Sequence, residues 1–250
     1  YGKQRNSPVV RGTSRLSPYL RFGEISPKTI WHVSKDYSNP GTDHFVREVG
    51  WREFSYHLMA NFPFLANKPL RENFEQFPWR DSDEDYEAWT KGMTGYPIVD
   101  AGMRELYATG WMHNRVRMIV SSFLVKHLLI DWRKGERWFF DTLLDGDFCS
   151  NNAGWQWVSG GGADAAPYYR IFNPILQGKK FDTGGRYVRK WVPEIADIPN
   201  ANLHAPWELS EGQLQLFGVK LGETYPEPIV NHEFARKRAL ESFDQITAKK

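Results

Sequence analysis

From Asn114 to Leu128 the apolar side chains Val116, Ile119, Val120, Phe123 and Leu124 recur at helical spacing, while the opposite face holds Asn114, Met118, Ser121 and Val125. Both faces are mostly uncharged, so this helix is expected to be buried on both sides, between a core and something else, and a cavity is one candidate. A second helical pattern, roughly Asp43 to Asn61, brings Glu48, Trp51 and Arg52 to one face at i, i+3 and i+4. As an ordinary surface pair, Glu48 and Arg52 would contribute only about 0.3–0.5 kcal/mol.

Helical spacing continues through Pro97–Ala108, Gly135–Leu144, Arg186–Trp191 and Ile229–Ile246. Ser17-Pro18 and Ser26-Pro27 have the form of an N-cap followed by proline at the first helical position, and Gly23 suits the end of the first short helix. Gly160-Gly161-Gly162 and Gly184-Gly185 are expected as local hinges, and residues 193–228 as an irregular stretch. No alternating strand pattern or repeat interrupts this series, so the fold class expected is all-α, with residues 1–250 as one domain.

The longest apolar stretch, Ile119 to Ile130, is interrupted by Ser121, Ser122, Lys126 and His127, which argues against a membrane span. A single cysteine, Cys149, excludes an internal disulfide, and no secretory signal opens the chain, so a cytoplasmic, bacterial-type intracellular location is expected. The net charge of +2 is unevenly spread. Residues 1–35 carry seven Lys/Arg against one Glu, and residues 168–190 carry six against one Asp, whereas Glu72–Glu87 holds seven acids and one Arg. Should the two basic stretches meet, they would form a face able to follow a phosphate backbone; dispersed, they are a solvated surface.

Several chemistries lack their signatures: GxGxxG after a strand, the P-loop, HExxH and GxSxG are all missing, and one cysteine makes a zinc site improbable. Thr13-Ser14-Arg15-Leu16-Ser17 could receive a phosphate at a helix start, with simple capping by Ser17 as the plainer reading. The run Asn151-Asn152-Ala153-Gly154-Trp155-Gln156-Trp157 sets two carboxamides and two indoles together after Asp145-Gly146-Asp147. If it is helical, Asn151 and Trp155 share a face and could meet one flat heterocycle; otherwise the indoles fill core and the amides cap turns.

In combination, several ordered motifs carry a resemblance. They are Gly12 to Leu20, Trp51-Arg52-Glu53-Phe54, Thr94 to Asp100, Gly110-Trp111-Met112-His113-Asn114-Arg115, Asp145 to Trp157, and Asp164 to Pro174. Over nearly its whole length the chain resembles the flavin-binding domain of the photolyase/cryptochrome family, most closely the class I cyclobutane pyrimidine dimer photolyases. The resemblance implies a helical domain holding a U-shaped FAD beside a cavity for an extruded dimer in UV-damaged DNA. It also implies a preceding α/β domain that often holds an antenna chromophore, absent from this chain.

By motif position, the resemblance assigns Tyr1, Thr13, Ser14, Arg15, Leu16, Ser17 and, less exactly, Phe45 to the cofactor. Asp145, Gly146 and Asp147 would lie near the flavin ring, Arg117 would pair Asp145, and Asn151 would face N5 of the reduced ring. Glu48, Trp51, Asn114, Met118 and Trp157 match the dimer pocket, and Arg5, Arg115 and Gln177 match DNA contacts. Trp155, Trp132 and Trp79 match an electron-transfer chain from flavin to surface. The implied reaction is light-driven electron transfer from reduced FAD that splits the dimer and returns the electron. Glu48 and Asn114 would then bond the dimer carbonyls, Glu48 as a donor only when burial keeps it protonated.

Three rivals differ at named residues. A (6-4) photolyase would be expected to show His where this chain has Asn114 and Met118, and plant-type cryptochromes commonly carry Asp in place of Asn151. A cryptochrome-type photoreceptor keeps the flavin and loses only repair. A flavin-free nucleic-acid-binding module fits the charge pattern but leaves the Asp145–Trp157 region unexplained. The protein is expected to be a monomer without membrane partners.

Overall fold

A computed structural model describes residues 1–164 and 169–248. Among them the elements in chain order are α1 (Ser17–Arg21), α2 (Pro27–Ser34), α3 (Pro40–Asn61), α4 (Asp83–Lys91), α5 (Pro97–Thr109) and α6 (Asn114–Ser122). There follow α7 (Trp132–Thr142), α8 (Phe148–Ser159), α9 (Pro174–Phe181), α10 (Arg186–Trp191), α11 (Glu211–Gln215) and α12 (His232–Thr247), with short 3-10 turns between. Pairing between extended segments is limited to isolated bridges, so the fold is all-α as expected.

The long buried helix is shorter than its hydrophobic pattern. It stops as an α-helix at Ser122 and continues as a π turn over Phe123–His127, closed by the Leu128 N–H donating to the Phe123 carbonyl at 3.1 Å. The wide turn buries Lys126 and His127, the polar residues that interrupt the apolar run. The Lys126 ammonium position is fixed by the Ser159 carbonyl, 3.0 Å away at the end of α8. Burial pushes the Lys126 amine well below its usual range.

Capping residues decide several boundaries. The Ser26 hydroxyl accepts from the Thr29 N–H at 3.1 Å as expected. Ser17 does not cap: Arg15 enters the left-handed region at φ 55°, Leu16 is already helical, and no side chain caps α1. Asp131 starts α7 earlier than its apolar spacing indicates, by accepting from the Arg133 N–H at 2.9 Å. Asn231 delays α12 in the same way, with its amide oxygen 3.0 Å from the Phe234 N–H.

The expected hinges are helix ends. Gly160 closes α8 in the left-handed conformation at φ 101°, and Gly185 opens α10 at φ 66°. The stretch 193–228 is less irregular than expected, since Ser210 caps α11 with a complete capping box to Gln213.

The main core gathers α5, α6, the π turn, α7, α8 and α10 around Trp89, Met103, Val116, Phe123 and Trp155. The Thr94–Asp100 motif is a fold staple here. Fully buried Asp100 accepts from the Thr94 N–H (2.7 Å) and hydroxyl (2.6 Å), the Gly95 N–H (3.1 Å) and the Tyr225 hydroxyl (2.6 Å). These donors satisfy a group that would be costly to bury alone.

Candidate cofactor and substrate site

One continuous cavity of about 730 Å³ runs between the N-terminal segment, α3, α6 and α8. The outer face of α6 borders it through Asn114, Met118 and Ser121 together with Arg115 and Arg117, which answers what that helix packs against. Such a volume falls in the upper part of the range for ligand sites, roughly 300–1,000 Å³.

Part of the lining is polar. Thr13, Ser14, Arg15, Leu16 and Ser17 contribute to it where the chain turns into α1, and the Arg15 guanidinium lies 4.4 Å from the Trp111 ring. Asp145, Gly146 and Asp147 also line the cavity. Asp145 receives both of its 2.9 Å contacts from one nitrogen of Arg117, whose Nε also donates to the Met112 carbonyl at 2.8 Å. Gly146 is tight, since an added Cβ would stand 2.9 Å from the Phe140 carbonyl oxygen. Its own carbonyl accepts from Arg21 at 2.7 Å, tying α1 to this wall.

Asp147 caps α8 by accepting from the Ser150 N–H at 2.8 Å, and its other oxygen accepts from the Tyr56 hydroxyl. Arg52 donates to that hydroxyl at 3.2 Å and to the Leu20 carbonyl at 3.4 Å, with Glu53 as its ion partner. Burial, then the bond to Asp147, pushes the Tyr56 phenol up to about 12. The Glu48–Arg52 pair expected from spacing is therefore not formed. Glu48 pairs with Arg5 of the N-terminal segment at 2.6 Å, and its side chain is 36% exposed. The burial expected to keep Glu48 protonated is not present.

Helix α8 is formed as the Asn151–Trp155 spacing requires. Asn151 donates its Nδ2 to the Glu136 carbonyl at 2.8 Å, which leaves its amide oxygen as the acceptor available to the cavity. Asn152 donates to the Glu136 carboxyl at 2.8 Å and to the Leu65 carbonyl at 2.9 Å, and Gln156 bonds the same Leu65 carbonyl at 3.1 Å. Burial raises Glu136 to about 7. The second amide of the run therefore braces the helix.

Trp155 also lines the cavity, and its Nε1 is buried without a partner. Its ring contacts are Phe139 at 5.0 Å and Trp89 at 6.2 Å. Trp132 is buried one turn before Gly135 on α7, and Gly135 leaves the space that the Trp155 indole fills. Trp79 is half-buried against Phe77 at 4.3 Å.

Another part of the lining is aromatic. Tyr1 and Phe45 meet edge to face at 5.4 Å, and Glu48, Trp51, Asn114, Arg115, Met118 and Trp157 join the wall beside them. All expected site residues thus border the cavity except Trp79, Trp132 and Gln177. Gln177 is half-buried on α9, one turn before Phe181, whose ring lies 4.5 Å from the Arg115 guanidinium. Arg5 and Arg170, one from each basic stretch, both lie close enough to Arg115 to depress it after desolvation does so. Each stretch thus brings one guanidinium near Arg115. Of the motif Asp164 to Pro174, residues 165–168 lie outside the described residues.

Residues 45–245 match the family model described as the FAD binding domain of DNA photolyase. The chain belongs to that family. It is 55% identical over 98% of its length to a deoxyribodipyrimidine photo-lyase of Agrobacterium fabrum, covering 52% of that protein. The crystal structure of a bacterial class III photolyase from Agrobacterium tumefaciens superimposes with a TM-score of 0.94 at 53% identity, over 99% of this chain and 52% of that one. Cryptochrome-1 of Arabidopsis thaliana is 42% identical over 98% of this chain and 38% of its own length. The photolyase domain described here therefore spans about half the length of the curated photolyases it matches.

Sequence reasoning missed Tyr56, Glu136, Asn152 and Arg170. Arg170 stood in a quoted motif and a basic stretch, which was signal enough. Tyr56 and Glu136 act through partners 91 and 16 residues away, to Asp147 and Asn152, which no local spacing reveals.

Proposed function

We propose that this domain repairs cyclobutane pyrimidine dimers in DNA with FAD as its light-driven cofactor. The single observation that carries the reading is the continuity of the cavity. Its lining holds hydroxyls, the part-exposed Arg117–Asp145 pair, a fixed amide acceptor and the aromatic rings of Tyr1, Phe45, Trp51 and Trp157, with the guanidinium groups of Arg5 and Arg115. This donor set fits the cofactor, since Thr13, Ser14, Ser17 and Arg15 suit its phosphates and the Asn151 amide oxygen is left as an acceptor.

When bound, reduced FAD supplies on excitation the electron that opens the cyclobutane ring and receives it back, with no net redox change. Thr13, Ser14, Arg15, Leu16 and Ser17 would hold its phosphates, Tyr1 and Phe45 would lie beside it, and the Asn151 oxygen would accept a hydrogen bond from the reduced ring. Asp145, held by Arg117, and Asp147, held by Tyr56 and the α8 N-terminus, fix the polar edge of the ring. Trp51, Met118 and Trp157 stack the extruded pyrimidines and keep water away from them; a damaged pair costs less to unstack than an intact one. Glu48 and Asn114 hydrogen-bond the base carbonyls as negative charge develops there. Trp155, Trp132 and Trp79 carry an electron inward to restore the reduced state.

Arg5, Arg115, Arg170, Lys179, Lys180 and Gln177 hold the backbone on either side of the flipped pair without reading sequence. Residues 1–250 act as one domain, a monomer working where DNA is accessible. No helix among the described residues is long and apolar enough to cross a membrane.

The test is repair of UV-damaged DNA by the flavin-loaded protein in blue light and in darkness, with Glu48→Ala and Asn114→Ala alongside. Light-dependent repair weakened by both substitutions is expected. Flavin binding and photoreduction with no repair would move the assignment to a photoreceptor.

A further inference from the structure

Glu48 draws its ion-pair partner, Arg5, from a different part of the chain, and both residues line the cavity. Arg5 is also one of the guanidinium groups crowding Arg115. The Glu48 carboxylate is thus the anion that this cluster holds in the free protein. Its other charged and titratable neighbours are committed or distant. From the N-terminal segment, Tyr1 feels it through space. On α3, Arg47 bonds His44 and the Asp43 carbonyl, and Arg52 bonds Glu53 and Tyr56. From α6, Arg115 reaches Asn6 at 2.8 Å and Glu48 only by way of Arg5.

A DNA phosphate delivered to the cluster is a second anion competing for Arg5. The existing pair is partly exposed and weak, so exchange is cheap. A carboxylate that lost Arg5 while bases filled the cavity would be desolvated without a counter-charge, the condition under which a carboxyl takes a proton. As an ion, Glu48 can only accept hydrogen bonds; protonated, it can donate to a base carbonyl.

We infer that the Arg5–Glu48 pair is a substrate-operated latch: docking of dimer-containing DNA moves Arg5 from Glu48 to a backbone phosphate, and Glu48 takes up one proton from solvent. Resting on the dimer-pocket reading above, the latch gives Glu48 its donor form only once the bases are in place. Arg5 stays cationic throughout, and the only bond made is the O–H of the carboxyl.

Calorimetric titration of the flavin-loaded protein with a duplex carrying one thymine dimer tests this. It is run in darkness near pH 7 in two buffers of different ionisation enthalpy. The wild type should take up about one proton more per duplex than Glu48→Gln, and its affinity should fall by up to about tenfold per pH unit above neutrality while that of the variant stays flat. Arg5→Gln should lower the salt slope of binding by about one phosphate contact. Equal proton counts in wild type and Glu48→Gln, with the dimer duplex bound by both, would overturn the latch. So would an unchanged salt slope in Arg5→Gln. No preference for the dimer duplex over undamaged DNA would overturn the pocket reading itself.

Discussion

Gly135→Ala is the smallest change that tests how α7 and α8 are fitted together. An alanine Cβ at this position would lie 2.1 Å from Trp155 Cη2, 2.5 Å from Cζ3 and 2.6 Å from Leu124 Cδ2. No real contact is that short, so the indole must shift by more than an ångström or α7 must back away. Overpacking of a filled core costs about 1–3 kcal/mol, and this geometry points to the upper end. The substitution also gains about 1 kcal/mol of helix propensity, leaving a net loss of about 2 kcal/mol. For a domain of this size that corresponds to a melting temperature lower by roughly 4–8 °C. Urea unfolding followed by circular dichroism measures the stability, and tryptophan fluorescence reports the displaced indole. A variant as stable as wild type, with unchanged emission, would refute the packing argument.

Other consequences follow from the same geometry. Asp145→Asn leaves Arg117 without its carboxylate; because Arg117 is 24% exposed the loss should fall below the 3–5 kcal/mol of a fully buried pair, about 2 kcal/mol, with reduced flavin occupancy in the purified protein. Glu136 is raised to about 7 by burial, so its protonated form is favoured in the folded state. Its contribution is fully present below the unfolded carboxyl range and is lost as pH rises through about 7; wild type should lose roughly 2–3 kcal/mol relative to Glu136→Gln between pH 5 and 8 by denaturant titration. Tyr56→Phe removes the second hold on Asp147 while leaving its cap on Ser150. It should shift the bound-flavin absorption spectrum and weaken flavin retention several-fold, with the melting temperature changed by no more than a few degrees.

Local chemistry made much of this molecule legible. Apolar spacing in α6 foretold its core face, and its far side, where Arg115 and Arg117 join Asn114, Met118 and Ser121, borders the cavity. Where an electrostatic or backbone event outweighed hydrophobic spacing, the boundaries moved. Asp131 and Asn231 reset two helix starts by capping, and Arg15 turned left-handed before α1. The π turn at Phe123–His127 was hidden, since the apolar spacing runs through it and the partner of its buried amine, the Ser159 carbonyl, lies in another helix. Helix α4 was masked by the acidic run that overlaps its first turns, although Ser82 caps it in the ordinary way at 3.3 Å.

The site was legible to a different degree. Ordered motifs brought nearly every expected residue to one cavity, which α3, α6 and the α8 stretch Cys149–Val158 line together. The Glu48 partner was not legible, because spacing along α3 offered Arg52 while the fold offered Arg5. Tyr56 and Glu136 escaped for the same reason, as each acts through a contact made only by tertiary packing.

The most direct measurement is single-turnover dimer splitting: the protein loaded with reduced FAD, mixed with an oligonucleotide carrying one thymine dimer, and given a blue-light flash while thymine absorbance is followed. The proposed function predicts that absorbance recovers after the flash, does not recover in darkness, and recovers far less in Glu48→Ala. Bound flavin and bound dimer DNA with no recovery after the flash would contradict it.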